Sequence, residues 1–450
     1  MQLWRRWGRF VVAAIAVGLT LGATSRPGPT SAAPPVAPSN ASAASSSFVP
    51  GVVLIRRKPG VQEADLRQAA TLLALSRATS RVEKVQVTPG QERAVADQLV
   101  ASGLVELAEP DYVRQVARAP DDPLFSEQWS LPKVNAADAW LVTTGRPEIV
   151  VAVIDTGFDL SHPDRPSHLI AGPTFTSMAV QDHCGPEGVS GPQDDYGHGT
   201  HVGGIIAAAA NNGIGVVGLA PDLSVLVIKA GDCQGQLADS DVEQAIAVAE
   251  SAGARVINLS FGGTDYSTSL EQSIQDAWNK GIVVVAAAGN QASSTPYYPA
   301  AFANVVAVAA TDSNDNLASF SSFGPDIAIA GPGVSILNLV PPSVPVDGFS
   351  TSLYASLSGT SMATPHVAAV AGLILSVTCG LTAAQVVSDL EQGATPLGVG
   401  IPNWSFGYGR LDAAGALRAA GAVSPPVSGS PPPGVIPRAF FPFVPHFAVC

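Results

Sequence analysis

The feature that most constrains this chain is an alternation. Short apolar runs rich in Val and Ile occur at 149–154, 224–228, 255–259, 282–287 and 305–309. Stretches of helical composition occur at 198–210, 239–252, 267–280 and 364–376. Runs this apolar suit strands covered on both faces rather than one. Their alternation with helices predicts an α/β fold, a mainly parallel sheet flanked by helices in three layers. Functional groups in such sheets gather at the carboxyl ends of the strands.

Around this body the chain divides further. Arg5, Arg6 and Arg9 precede an apolar run at 10–22 and small residues at 23–25 and 31–33, the layout of a secretory signal. Export to the extracellular space is the expectation, with no membrane span once 1–25 is removed. Residues 26–47, of Pro, Ala and Ser, read as a linker. Residues 48–116 read as a small α+β unit, with strand-like runs at 48–56, 82–87 and 104–116 and helical composition at 63–75 and 91–102. The expected segments are 1–25, 26–47, 48–118, 119–421 and a Pro-rich tail at 422–450.

Charge narrows the partners. The whole chain carries −13, divided into +6 for residues 1–119 and −19 for 120–450. So acidic a body is unsuited to nucleic acid or an anionic membrane surface, and it suits cation sites.

Four motifs carry chemistry. In Ser358-Gly359-Thr360-Ser361-Met362-Ala363-Thr364-Pro365-His366, Ser361 opens an apolar helix, and Pro365 is expected in its first turn. Developing negative charge is favoured at such a helix start, although a serine there also serves as a plain cap. In His198-Gly199-Thr200-His201, a histidine stands at another helix start and could act as a base. A zinc site is the alternative for His198 and His201, but no third ligand or HExxH pattern is present. Asp155 ends the run 150–154 and is followed by Thr156-Gly157, where a carboxylate can orient an imidazole. Asp-Thr-Gly is also the tripeptide of aspartic proteases, which need a second copy that this chain lacks. Asn290, after Ala288-Gly289, ends the run 282–287 and offers an amide donor to an oxyanion.

The motifs VAVIDTGFDLSHPD, HGTHVGGIIA, INLSFGG, AAAGN and SGTSMATPHVAAVAGLIL, in that order, resemble those of the subtilisin-like serine proteases, thermitase-type members in particular. The order Asp, His, Ser is that of subtilisin. The resemblance covers 122–421 and implies a serine endopeptidase. In it Asp155 orients, His198 is the base, Ser361 the nucleophile and Asn290 the oxyanion donor. A sedolisin-type acid peptidase would carry glutamate in place of His198, and a non-enzymatic relative would not need all four residues.

The resemblance implies more. Ser260, Phe261, Gly262 and Gly263 match a substrate-pairing wall, Gly289 is a further substrate-binding position, and Tyr297 stands where the family has a smaller pocket-floor residue. Residues 232–235 match the opposite edge, so extended polypeptides are the expected substrates. Residues 48–116 are similar to an inhibitory propeptide, an intramolecular inhibitor cut off near 116–121. The mature enzyme is expected to be a monomer. Asp122, Asp164, Ala210, Asn212, Ile214 and Val216 match a structural Ca²⁺ site. Asp194 and Asp195 offer a second, poorer acidic pair. Export permits disulfides, and the pairing suggested is Cys184 with Cys233 and Cys379 with Cys450.

Overall fold

The computed structural model describes residues 48–77, 82–112, 119–177, 191–342, 352–378 and 380–421. It forms two compact units, divided between Gln115 and Val116. The expected leader, linker and tail lie outside the described residues, as do Cys184, Cys379 and Cys450.

In the N-terminal unit, β1 (Phe48–Arg57), α1 (Glu63–Ala69), β2 (Ala74–Arg77), β3 (Glu83–Gln86), α2 (Glu92–Ala101) and β4 (Val105–Tyr112) follow in order. The sheet runs β2-β3-β1-β4, and its recorded strand pairs are antiparallel. Val53, Ile55, Leu66, Val85 and Leu99 are fully buried in its core. Composition over 63–75 suggests one helix, but the helix stops at Ala69 and β2 follows. Pairing of β2 with β3 overrides an Ala- and Leu-rich composition that by itself favours helix.

The second unit starts with two short helices, α3 (Ser130–Lys133) and α4 (Ala136–Trp140). There follow β5 (Val150–Asp155), β6 (His168–Thr174), α5 (His198–Ala207), β7 (Ser224–Lys229), α6 (Asp239–Ser251), β8 (Val256–Leu259), α7 (Thr268–Asn279), β9 (Val283–Ala287), β10 (Val305–Thr311) and β11 (Ile327–Pro332). The hairpin β12 (Ile336–Leu339) and β13 (Tyr354–Leu357) leads to α8 (Thr360–Val377), α9 (Ala383–Gly393) and α10 (Ala413–Ala419).

Seven strands form one parallel sheet in the order β11-β10-β9-β8-β5-β7-β6. The period-two geometry of a strand sends alternate side chains to opposite faces. Val151 and Val153 enter the core that also holds Ala363, Val367 and Val370 of α8. Ala152 and Ile154 enter the other, with Val242 and Ile246 of α6 and Ile274 of α7. Fully burying each such side chain contributes about 1.5–3 kcal/mol. Strand order reverses at β5, which lies between β7 and β8, and this opens a crevice at the carboxyl ends.

The runs at β6 and β11 escape the sequence pattern because they form the two edges. β6 is only partly buried, and both strands contain Gly and Pro. The helix carrying Ser361 also starts earlier than expected, at Thr360. Pro365 therefore lies inside the helix, past its first turn, and removes the N–H that would bond the Ser361 carbonyl. That carbonyl accepts the Ser260 hydroxyl instead, at 2.9 Å.

Candidate active site

Each candidate residue sits where an apolar element ends. Asp155 is the last residue of β5 and is 2% exposed. Gly157 follows at φ 113°, and a Cβ there would lie 2.5 Å from the Pro192 carbonyl. Phe158 N–H donates to that same carbonyl at 2.8 Å, which draws the loop at 192–195 against the end of β5.

His198 is the first residue of α5, and its Nδ1 lies 2.8 Å from Asp155 Oδ1. With Nδ1–H donating to the carboxylate, Nε2 carries the free lone pair. Burial works against an imidazolium here. The charge of Asp155, the hydrogen bond to it and the charge of Asp194 together outweigh burial, so the His198 pKa stands above its ordinary value.

Asp194 is a member of this site that the sequence motifs did not assign. It is 2% exposed. Its Oδ1 accepts the Thr156 hydroxyl at 2.9 Å, Tyr196 N–H at 3.1 Å and Gly197 N–H at 2.8 Å. Its Oδ2 accepts Thr200 N–H at 2.9 Å and the Thr200 hydroxyl at 2.6 Å. Thr156 Oγ1 in turn accepts Gly199 N–H at 2.9 Å. One carboxylate thus ties the residue after Asp155 to the first turn of the His198 helix. An aspartate four residues ahead of a helix-opening histidine is the signal that could have revealed it. Asp195 pairs with the buried Lys229 ammonium at 2.5 Å, which also donates to the Thr156 carbonyl at 2.7 Å. Asp194 and Asp195 thus both bind protein donors.

His201 does not join His198 in a metal pair. Its Nε2 donates to the carbonyls of Ile336 at 2.9 Å and Ala355 at 3.2 Å. Burial pushes its pKa down to about 3.

Ser361 is partly exposed in the first turn of α8, where N–H groups lack intrahelical partners. Its hydroxyl donates to the Ser260 carbonyl at 2.8 Å. Asn258 Nδ2 donates to the Ser260 hydroxyl at 2.9 Å, so the residue after β8 is held from both sides. Asn290 Oδ1 accepts Thr360 N–H at 2.9 Å and the Thr360 hydroxyl at 3.0 Å. With its oxygen so fixed, the amide can turn only Nδ2 toward the cleft. A Cβ on Gly359 would lie 3.4 Å from that nitrogen.

Gly262, Gly289 and Tyr297 meet. A Cβ on Gly262 would lie 2.6 Å from Tyr297 Cε1, and one on Gly289 would lie 2.9 Å from Tyr297 Cγ. The Tyr297 ring therefore lies against both glycines. Phe261 is partly buried and packs on the core shared with α6 and α7. Gly263 and Tyr298 exchange two backbone hydrogen bonds, of 2.8 and 2.7 Å.

The loop at 211–216 folds over two buried acids. Asp122 accepts Asn211 N–H at 2.9 Å and Asn212 N–H at 3.2 Å. Asp164 accepts Asn212 Nδ2 at 2.7 Å and Val216 N–H at 2.9 Å. Burial, with Asp122 adding to it, pushes Asp164 up to about 6. Neither acid has a Lys or Arg partner among the described residues. No group of three or more His, Cys, Asp or Glu side chains that could hold a metal occurs among them either. Two buried like charges with only neutral donors fit a hard cation, provided carbonyl oxygens complete its shell.

Comparison with known proteins agrees with this geometry. The profile of the subtilase family matches residues 146–409. The chain is similar to a thermophilic serine proteinase of Bacillus sp. (strain AK1), 37% identical over 386 residues, 84% of this chain and 90% of that one. It is similar to thermitase of Thermoactinomyces vulgaris, 41% identical over 64% of this chain and 96% of that protein. Among solved structures, a protease from Pseudoalteromonas arctica matches with a TM-score of 0.60 at 32% identity, covering 67% of this chain and 100% of the other.

Proposed function

This chain belongs to the subtilase family and is a serine-type endopeptidase, and from that premise we propose that Asp155, His198 and Ser361 are its triad, in a protein secreted as a self-processing zymogen. The observation that carries the proposal is the 2.8 Å bond from His198 Nδ1 to Asp155 Oδ1 at a buried strand end. It fixes the tautomer in which Nε2 can take a proton.

In the proposed reaction the Ser361 hydroxyl leaves the Ser260 carbonyl and gives its proton to His198 as Oγ attacks the scissile carbonyl. Asp155 stabilises the imidazolium. The oxyanion is met by Asn290 Nδ2 and by the Ser361 N–H at the start of α8, where the helix dipole favours negative charge. The imidazolium then returns the proton to the leaving amine, and water repeats the sequence on the acyl-enzyme. Substrate lies extended along Ser260–Gly263 and residues 232–235.

The N-terminal unit is the intramolecular inhibitor in this reading. Support comes from the 386-residue alignment, which is longer than the stretch from Val116 to Cys450 and so must enter that unit. Asp122, Asp164, Asn212 and the carbonyls of Ala210, Ile214 and Val216 would hold Ca²⁺, which would neutralise the two buried acids and brace the loop. A fluorophosphonate tests the site directly. It should label Ser361 in the mature protein and leave Ser260 and Ser358 unlabelled.

A further inference from the structure

We propose that Tyr297 plugs the pocket for the residue whose carbonyl is attacked, so that this enzyme cleaves after Gly, Ala and Ser and rejects large aromatic residues there. The inference rests on Ser361 being the nucleophile, and it names the substrate class of that site.

The location follows from connectivity. Gly289 immediately precedes Asn290, and Gly262 lies two residues beyond Ser260, whose carbonyl accepts the Ser361 hydroxyl. The space beside these two glycines opens at the reacting centre, and neither wall contributes a side chain to it. The Tyr297 ring fills it, close enough to both glycines that a single added carbon on either would meet the ring at 2.6 or 2.9 Å. A second aromatic ring cannot share that space, because close-packed atoms do not yield by ångströms.

Tyr297 is also anchored. Its neighbour Tyr298 is pinned to Gly263 by the two backbone bonds of 2.8 and 2.7 Å, and Ala301 N–H donates to the Tyr297 carbonyl at 2.9 Å. Swinging the ring outward would expose a half-buried aromatic surface. Beside the ring lies a small pocket of about 20 Å³, partly open to solvent, with walls that include Ala288, Ala300, Ser322 and Asp326. Removing the ring would free the space it now fills between Gly262 and Gly289.

The test uses mature enzyme and a series of tetrapeptide p-nitroanilides that differ only in the residue at the scissile carbonyl. Wild type should turn over the Ala substrate with a kcat/KM at least about tenfold above the Phe substrate, the scale of one misfitted group. Tyr297→Gly should reverse that order. Tyr297→Phe, which keeps the ring and loses only the hydroxyl, should retain the wild-type order and guards against misfolding of the glycine variant. A wild type that cleaves casein but favours Phe over Ala overturns this inference alone, as does a folded, active Tyr297→Gly with unchanged preference. A wild type that cleaves neither peptide nor casein, with Ser361 unlabelled by fluorophosphonate, overturns the peptidase reading and this inference with it.

Discussion

Ser260 and Ser361 are joined by two reciprocal hydrogen bonds. The Ser361 hydroxyl donates to the Ser260 carbonyl at 2.8 Å, and the Ser260 hydroxyl donates to the Ser361 carbonyl at 2.9 Å. The second bond exists because Pro365 offers no N–H to that carbonyl. In the proposed function an extended substrate whose backbone N–H took the Ser260 carbonyl would compete with the Ser361 hydroxyl for it and so would release that hydroxyl toward His198.

Ser260→Ala should lose the hydroxyl that satisfies both the Ser361 carbonyl and Asn258 Nδ2. Leaving buried groups unpaired costs about 1–3 kcal/mol. Urea unfolding in a Ser361→Ala background, where autolysis is absent, should show that loss. An unchanged midpoint would mean that the bonds of the Ser260 hydroxyl add no stability.

The pH profile reports His198. The base must be neutral, so kcat/KM should fall as pH drops through a pKa above the ordinary 6.5, with Asp155 and Asp194 outweighing burial. Asp155→Asn removes the charge that outweighs burial. The acid limb should then move to lower pH while kcat falls by about 10⁴. A limb that stays in place would show that Asp155 does not set the pKa of the base.

Two buried histidines make stability acid-sensitive. Burial pushes His366 down to about 4 and His201 down to about 3, against 6.5 when unfolded. Between those values only the unfolded state takes up their protons, so stability present above pH 6.5 is lost as pH falls. Each histidine removes about 1.4 kcal/mol per pH unit until its folded pKa is passed. His366→Asn, which keeps a donor for the Met362 carbonyl, should flatten the dependence of unfolding free energy on pH between 6 and 4. A slope as steep as that of the parent protein would exclude this source.

The acids under the loop at 211–216 predict metal dependence. A chelator should lower the unfolding temperature by about 5 °C or more, since a cation at a hundred times its Kd contributes about 2.7 kcal/mol. Added Ca²⁺ should restore it, and Asp164→Asn should make the protein indifferent to both. An unfolding temperature that ignores chelator and Ca²⁺ would remove the cation from the account.

The central strands and the motif residues were legible because chemistry and burial there leave strong local signals. Val150 to Asp155 reads as a covered strand ending in an acid, and the structure has that strand. The edges were harder. β6 and β11 lack a clean period, since Gly and Pro dilute it and β6 is only partly buried. Asp194 offers only an acidic pair with Asp195 in sequence, because its five donors come from residues 156, 196, 197 and 200, which only the fold assembles. Pro365 reads in sequence as a first-turn residue, because its position inside the helix depends on a partner, Ser260, 105 residues away in sequence. Tyr297 stands out as large in sequence, but its direction depends on two glycines, Gly262 and Gly289, in the segments after β8 and β9.

The most direct measurement is the maturation of Ser361→Ala. In a secreting host, the wild type should lose its N-terminal unit and digest casein. The variant should fold, retain residues 48–115 by intact mass, and leave casein untouched. A Ser361→Ala protein that still removes its own N-terminal unit and cleaves casein would contradict the account, because some other residue would then be the nucleophile.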